Sequence, residues 1–209
     1  MPVASSSKAE TGFRAVLAVV LACCLGVCAA RAAERDIRLA GVKVSGETTL
    51  DGRTLLLNGA GVRTLFGFRV YVAALYLPYP MRAAEQILDS NTPRRLRLTL
   101  LRDTSTDQNL SALREGLVDN NSAAEMAAIH TDVARFFSLI QQVSEVPTGT
   151  VIQLDYLPGA GTWVRIGDRN LGMVPGERFN RAILKIWLGG DPIQTSLKHS
   201  LLGLGEAGS

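Results

Sequence analysis

Cysteine is missing from most of the chain: Cys23, Cys24 and Cys28 all fall within the first thirty residues. Downstream of them there is no thiolate nucleophile, no disulfide and no cysteine metal site. Histidine is nearly as scarce. His130 and His199 stand apart, with no His-x-x-x-His spacing or paired carboxylate beside them, too few ligands for a metal centre. A Gly-x-Ser-x-Gly nucleophile elbow does not occur. Gly59-Ala-Gly61 lacks the rest of a dinucleotide fingerprint and precedes no helix pattern, so it is not a phosphate loop. Basic runs, internal repeats, linkers and low-complexity segments are absent as well. No cofactor is expected, and nothing makes an electrostatic case for nucleic acid.

The apolar run is at the start. Lys8 and Arg14 precede Ala15–Ala30, and Ala30-Arg31-Ala32 supplies a small-x-small cleavage site. Those are the three parts of a secretory signal peptide. The run is shorter than the roughly 20 apolar residues of a membrane-spanning helix, so no span is expected in the mature protein. Residues 1–32 are therefore expected to direct export to the periplasm and to be removed. A second reading is a lipoprotein cut before Cys23. The formal charge of +3 becomes +1 once Lys8, Arg14, Arg31 and Glu10 are gone. The remainder, 33–204, suits one domain with its own core, followed by a loose tail at 205–209.

One stretch organises that domain. Leu57-Asn-Gly-Ala-Gly-Val-Arg63 reads as a glycine-loosened turn carrying one arginine, and it feeds Phe68–Leu77. In the latter, Tyr71, Ala73, Leu75 and Leu77 alternate with Val70, Val72, Ala74 and Tyr76. A strand apolar on both faces is covered on both sides and sits inside its sheet; Pro78 and Pro80 stop it. Ile37–Val44 reads as an earlier strand, and Asp51-Gly52 between apolar runs signals a hairpin. Arg94–Arg102 alternates Leu96, Leu98 and Leu100 with Arg95, Arg97 and Thr99, which reads as a half-solvated strand.

Helix signals follow. Ser105-Thr-Asp-Gln108 and Ser122-Ala-Ala-Glu125 have the capping-box pattern. The first opens a helix through Leu110, Leu113 and Leu117, the second a longer helix through Ile140. Strands at Thr150–Leu157, Thr162–Ile166 and Asn170–Val174, a helix over Gly176–Leu188 ended by Gly189-Gly190, and a last helix over Pro192–Leu202 complete the order. Ala83–Leu88 suits a short helix. Strands, helices, strands, helices make an α+β fold with a mainly antiparallel sheet.

Only Arg63 and Tyr71 suggest a site. A guanidinium and a phenol at the mouth of an apolar pocket suit a carboxylate or a developing oxyanion. The plainer reading is an arginine paired with a nearby acid and a core aromatic.

Leu57–Arg63, Val70–Leu77, Ala182-Ile-Leu-Lys-Ile-Trp-Leu-Gly189, Ser196-Leu-Lys198 and Leu201-Leu-Gly203 together resemble the chalcone isomerase family, and most closely its bacterial exported chalcone isomerase-like members. The resemblance covers about residues 37–204. It implies an open-faced β-sandwich: a large antiparallel sheet, a helical layer and a small three-stranded sheet. Of the five cleft residues of the plant enzymes, the arginine falls on Arg63. The two threonines fall on Tyr71 and Ile186, and the tyrosine and asparagine of the middle helix on Asn109 and Gly116. One of five is kept. Losing catalytic hydrogen-bond donors costs about 2.7–4 kcal/mol each, which argues against chalcone isomerase activity. The family's fatty-acid-binding branch holds a carboxylate with an arginine and a tyrosine, and Arg63 and Tyr71 fit that pair. Burying an acyl chain contributes about 0.8 kcal/mol per methylene. The resemblance thus implies a periplasmic, non-catalytic binder of a fatty acid or similar amphipathic carboxylate, with Arg63, Tyr71, Asn109 and Ile186 at the site. The alternative is an isomerase, an intramolecular lyase acting on an enone-type small molecule with Arg63 as its catalytic residue.

Overall fold

Alternating apolar residues build a seven-stranded antiparallel sheet that carries apolar side chains on both faces. The computed structural model describes residues 36–205, so the proposed signal peptide lies outside the described residues. The strands are β1 (Ile37–Leu39), β2 (Val42–Val44), β3 (Glu47–Leu50), β4 (Arg53–Leu65), β5 (Phe68–Leu77), β6 (Arg94–Leu100), β7 (Thr104–Ser105), β8 (Glu145–Val146), β9 (Val151–Leu157), β10 (Gly161–Ile166) and β11 (Arg169–Pro175). The helices are α1 (Ala84–Asp89), α2 (Thr106–Asn120), α3 (Ala123–Ala128), α4 (His130–Ile140), α5 (Glu177–Leu188) and α6 (Thr195–Leu201). The large sheet runs β11-β10-β9-β6-β5-β4-β3, with every described pairing antiparallel.

Strand β5 has the two covered faces its sequence predicts. Tyr71, Ala73, Leu75 and Leu77 join the main core with Phe136, Phe179, Ile183 and Trp187 of the helices. Val72, Ala74 and Tyr76 belong to a second core, under the β1–β2 hairpin. The fold is an α+β open-faced sandwich. Its small sheet, expected with three strands, is among the described residues the two-stranded β1–β2, with β7–β8 as another two-stranded piece. The expected single strand Ile37–Val44 is this hairpin, because Ala40 and Gly41 both take positive φ, 47° and 84°, and turn the chain.

The glycine-rich stretch is no turn. Leu57–Arg63 lies inside the 13-residue β4, with register shifts at Leu57/Gly59 and Arg63/Thr64. Its glycines let α6 lie directly on the sheet. A Cβ at Gly59 would run into the Ser200 carbonyl oxygen, and one at Gly61 would come within 2.7 Å of Ser200 Cβ. Asn58, at the first shift, accepts from Met81 N (2.7 Å) and donates to the Leu201 carbonyl (2.8 Å). It ties the exit of β5 to the end of α6.

Two further expectations are corrected. Ser122 and Glu125 do form both halves of a capping box, but the helix breaks at buried Ile129 (φ −118°, ψ 11°), leaving α3 and α4 in place of one long helix. Strand β6 is not half-solvated: the Arg95 side chain is only 12% exposed and pairs with Asp155 of β9. Arg94 is more deeply buried still. It donates to the carbonyls of Ile87 and Ser90 at the end of α1 and lies 5.0 Å over the Tyr156 ring. Burial is the main cause that pulls its guanidinium down to about 10.

Candidate ligand cleft

The antiparallel register places Arg63 directly opposite Tyr71, so the two side chains leave β4 and β5 as a cross-strand pair on the helix-covered face. Tyr71 is buried in the main core. Its oxygen accepts a hydrogen bond from Trp187 Nε1 of α5 at 3.0 Å. The phenol's own proton has no acceptor among the described residues. Burial pushes the Tyr71 hydroxyl up to about 12, against smaller opposing effects from the Trp187 bond and the Arg63 charge. It is therefore a fixed neutral donor near neutral pH, and far too weakly acidic to serve there as a phenolate base.

Arg63 is half-buried. Its Nη1 donates to the Thr64 carbonyl (2.6 Å) and to Gln194 Oε1 (3.1 Å), while Nε and Nη2 make no hydrogen bond among the described residues. No acid pairs with it among the described residues, so the ion pair of the plainer reading is not what holds it. Gln194 holds the arginine by acting as a one-residue strand. Its amide accepts from Thr64 N (2.8 Å) and donates to the Val62 carbonyl (3.2 Å), covering the β4 edge beyond β3.

Tyr71 and Trp187 line an apolar cleft of about 80 Å³ between the sheet and the helices. Leu98, Leu100 and Leu154 form its floor, and Asn109, Ala112 and Leu113 of α2 its roof. Ile193, next to Gln194, lies at its rim. Of the four residues the sequence suggests, Tyr71 and Asn109 share this wall. Arg63 stands beside Tyr71 but outside the wall, turned towards Gln194. Asn109 donates to Thr104 Oγ1 at 3.0 Å, which fixes its amide within its own helix start.

Ile186 is placed differently. It is fully buried and does not line the cleft; it packs against Gly116, where a Cβ would come within 2.9 Å of its Cγ2. These are the two positions on which the resemblance sets an asparagine and a threonine. Here they meet as knob and hole between α2 and α5, so an apolar contact replaces a polar wall. Trp187 and Gln194 were not found by sequence reasoning. In the sequence Trp187 is only one residue of the Ala182–Gly189 stretch, and its bond partner is 116 residues away.

A helix-roofed antiparallel sheet thus holds a small apolar cleft, with a neutral donor in its wall and a cation on the neighbouring strand. Residues 36–203 match the family model described as chalcone isomerase-like, and the chain belongs to that family. A search of curated proteins returns no match. Among solved structures, the fold is similar to that of a fatty-acid binding protein of Arabidopsis thaliana. That likeness has a TM-score of 0.60 at 17% identity and covers 80% of this chain and 95% of that one. At that identity it shows the fold alone.

Proposed function

We propose that this protein is an exported, periplasmic binder of a fatty acid or similar amphipathic carboxylate, and that it catalyses no reaction on it. One observation carries the reading. Tyr71, in the wall of an apolar cleft, has an uncommitted proton, and its cross-strand partner Arg63, whose charge reaches the phenol, has uncommitted Nε and Nη2. A carboxylate has the acceptors that both groups lack. The fatty-acid binding protein of like fold supports this ligand class. The signal-peptide pattern of residues 1–32 supports the location.

The cleft as it stands, about 80 Å³, is short of the roughly 300–1,000 Å³ of ligand pockets. An acyl chain needs α2 to lift. That helix is tied to other elements at its ends, where Thr106 donates to the Val143 carbonyl and Asn120 to the Asp191 carbonyl. Its middle meets the core through Leu110, Leu113 and the stacking of Arg114 on Phe137.

Mass spectrometry of small molecules released from gently purified protein, with fatty-acid titration of Arg63→Ala, tests the proposal. A bound long-chain acid and a loss of about ten- to hundredfold in affinity are expected, since hydrogen bonds to charged groups contribute about 1.5–3 kcal/mol. No extractable acid together with unchanged affinity would sink it. Turnover of a cyclising enone that vanishes in Arg63→Ala would replace it with the isomerase reading.

A further inference from the structure

Three two-residue hairpin turns share one geometry. Ala40-Gly41, Asp51-Gly52 and Phe66-Gly67 have both residues at positive φ: 47° and 84°, 50° and 72°, 49° and 80°. This is the form that matches strand twist. Glycine takes the second place without crowding, and aspartate is well suited to the first, as at Asp51. Phenylalanine is not, because a bulky side chain at positive φ is strained. Phe66 gains nothing from packing in return, being 90% exposed.

Its neighbours repeat the pattern. Leu65 and Phe68, the cross-strand pair that closes this turn, are 45% and 62% exposed. Cations surround them. Arg63 and Arg69 flank the tip on its two strands, and the Arg102 guanidinium lies 5.1 Å over the Phe68 ring. Neither Arg69 nor Arg102 has an ion pair among the described residues. The acid next in sequence, Asp103, is taken by Thr148, which donates from N (2.7 Å) and Oγ1 (2.8 Å) and holds that carboxyl below its ordinary range. Fold stability explains neither the ring at Phe66 nor the unpaired collar. An apolar tip collared by arginines complements a layer of acyl chains beneath anionic phosphates.

We propose that the Leu65–Phe68 tip docks this protein on an anionic phospholipid surface. Phe66 and Phe68 enter the acyl boundary, and Arg69 and Arg102 meet the phosphates. The inference rests on the tip's backbone and charge, not on the ligand reading. If both hold, an acid leaving the bilayer meets Arg63 two residues from the point of contact.

Vesicle co-sedimentation of the protein as cells produce it tests this, with any retained leader common to parent and variant. The parent is expected to bind mixed phosphatidylcholine–phosphatidylglycerol vesicles, more weakly as salt rises. Phe66→Asn should lower that binding at least about tenfold, because a buried ring is lost, yet raise the Tm, because asparagine suits the turn. Arg69→Gln with Arg102→Gln should remove most of the preference for anionic over pure phosphatidylcholine vesicles, about fivefold per arginine. Phe66→Trp should shift its emission to the blue only with the mixed vesicles. Parental vesicle binding by Phe66→Asn, or no binding by the parent, overturns the proposal. So does a dimer that dissolves in Phe66→Asn, which would make the tip a protein contact. Fatty-acid affinity unchanged in Phe66→Asn keeps this result separate from that of the cleft.

Discussion

Two polar groups on opposite faces of the large sheet, the Arg95–Asp155 cluster and the Arg63–Tyr71 pair, are satisfied to different degrees. Under the β1–β2 side, Asp155 accepts from Arg95 Nε (2.6 Å), Arg95 Nη2 (2.9 Å) and Gln153 Nε2 (2.8 Å), while Arg95 Nη1 donates to Thr48 Oγ1. Every arm of that cluster is engaged. Under the helices, Tyr71 accepts one bond and its own proton is uncommitted, and Arg63 commits only Nη1. A saturated cluster has no room in its valences for a ligand; an unsaturated one has. Unmet hydrogen-bonding capacity beside an apolar cleft, rather than buried polarity as such, sets the Arg63–Tyr71 pair apart from the Arg95–Asp155 cluster.

The largest effect should come from breaking the saturated side. Asp155→Ala strips two bonds from an arginine that is only 12% exposed and leaves a buried charge without compensation. A loss of about 3–5 kcal/mol is expected in urea titration. Replacing Arg95 and Asp155 together by leucine should cost much less, since no unpaired charge remains. A single-variant loss below about 1 kcal/mol would show that the network is not structural.

Tyr71→Phe probes the other side. It leaves Trp187 Nε1 buried without an acceptor, a cost of about 1–3 kcal/mol, and it should weaken fatty-acid binding. Its pH behaviour is more specific. The folded phenol is pushed from the ordinary 10 up to about 12, so between those values the unfolded chain releases a proton that the folded chain keeps. Stability falls as pH rises through that window and is fully present below 10. Tyr71→Phe should flatten this fall in unfolding curves taken across it. An unchanged slope would mean that Tyr71 is not shielded as described.

This contrast between the faces was only half legible in the sequence. Strand β5 was, because a period-two pattern with both sets apolar is a local signal, and so were the Asp51-Gly52 hairpin and the Ser105 and Ser122 caps. Gly59 and Gly61 were misread because a glycine admits either a turn or a close approach. Only Ser200, about 140 positions away, decides which. Arg95 looked solvated because the partners that engage it, Asp155 of β9 and Thr48 of β3, lie 60 and 47 positions away. The helix break at Ile129 has no proline or glycine to announce it. At the site, Arg63 and Tyr71 stood out by residue type, whereas Trp187 and Gln194 act through bonds spanning 116 and 131 positions.

The smallest expected effect isolates burial from saturation. Glu125 carries as many donors as Asp155: Ser122 N (2.8 Å), Ser122 Oγ (2.9 Å) and Lys185 Nζ (2.7 Å). The Lys185 bond is the largest cause that holds its carboxyl down to about 2, followed by the Ser122 bonds. Yet its side chain is 48% exposed, so water competes for every partner. Glu125→Gln should therefore cost less than about 1 kcal/mol near neutral pH, several times less than Asp155→Ala. A depressed folded pKa contributes stability above the ordinary 4.5 that is lost as pH falls towards about 2. Parent and variant should then converge in urea titrations at the acid end. If Glu125→Gln instead costs as much as Asp155→Ala, saturation alone sets the energy, and burial is not what separates the two carboxylates.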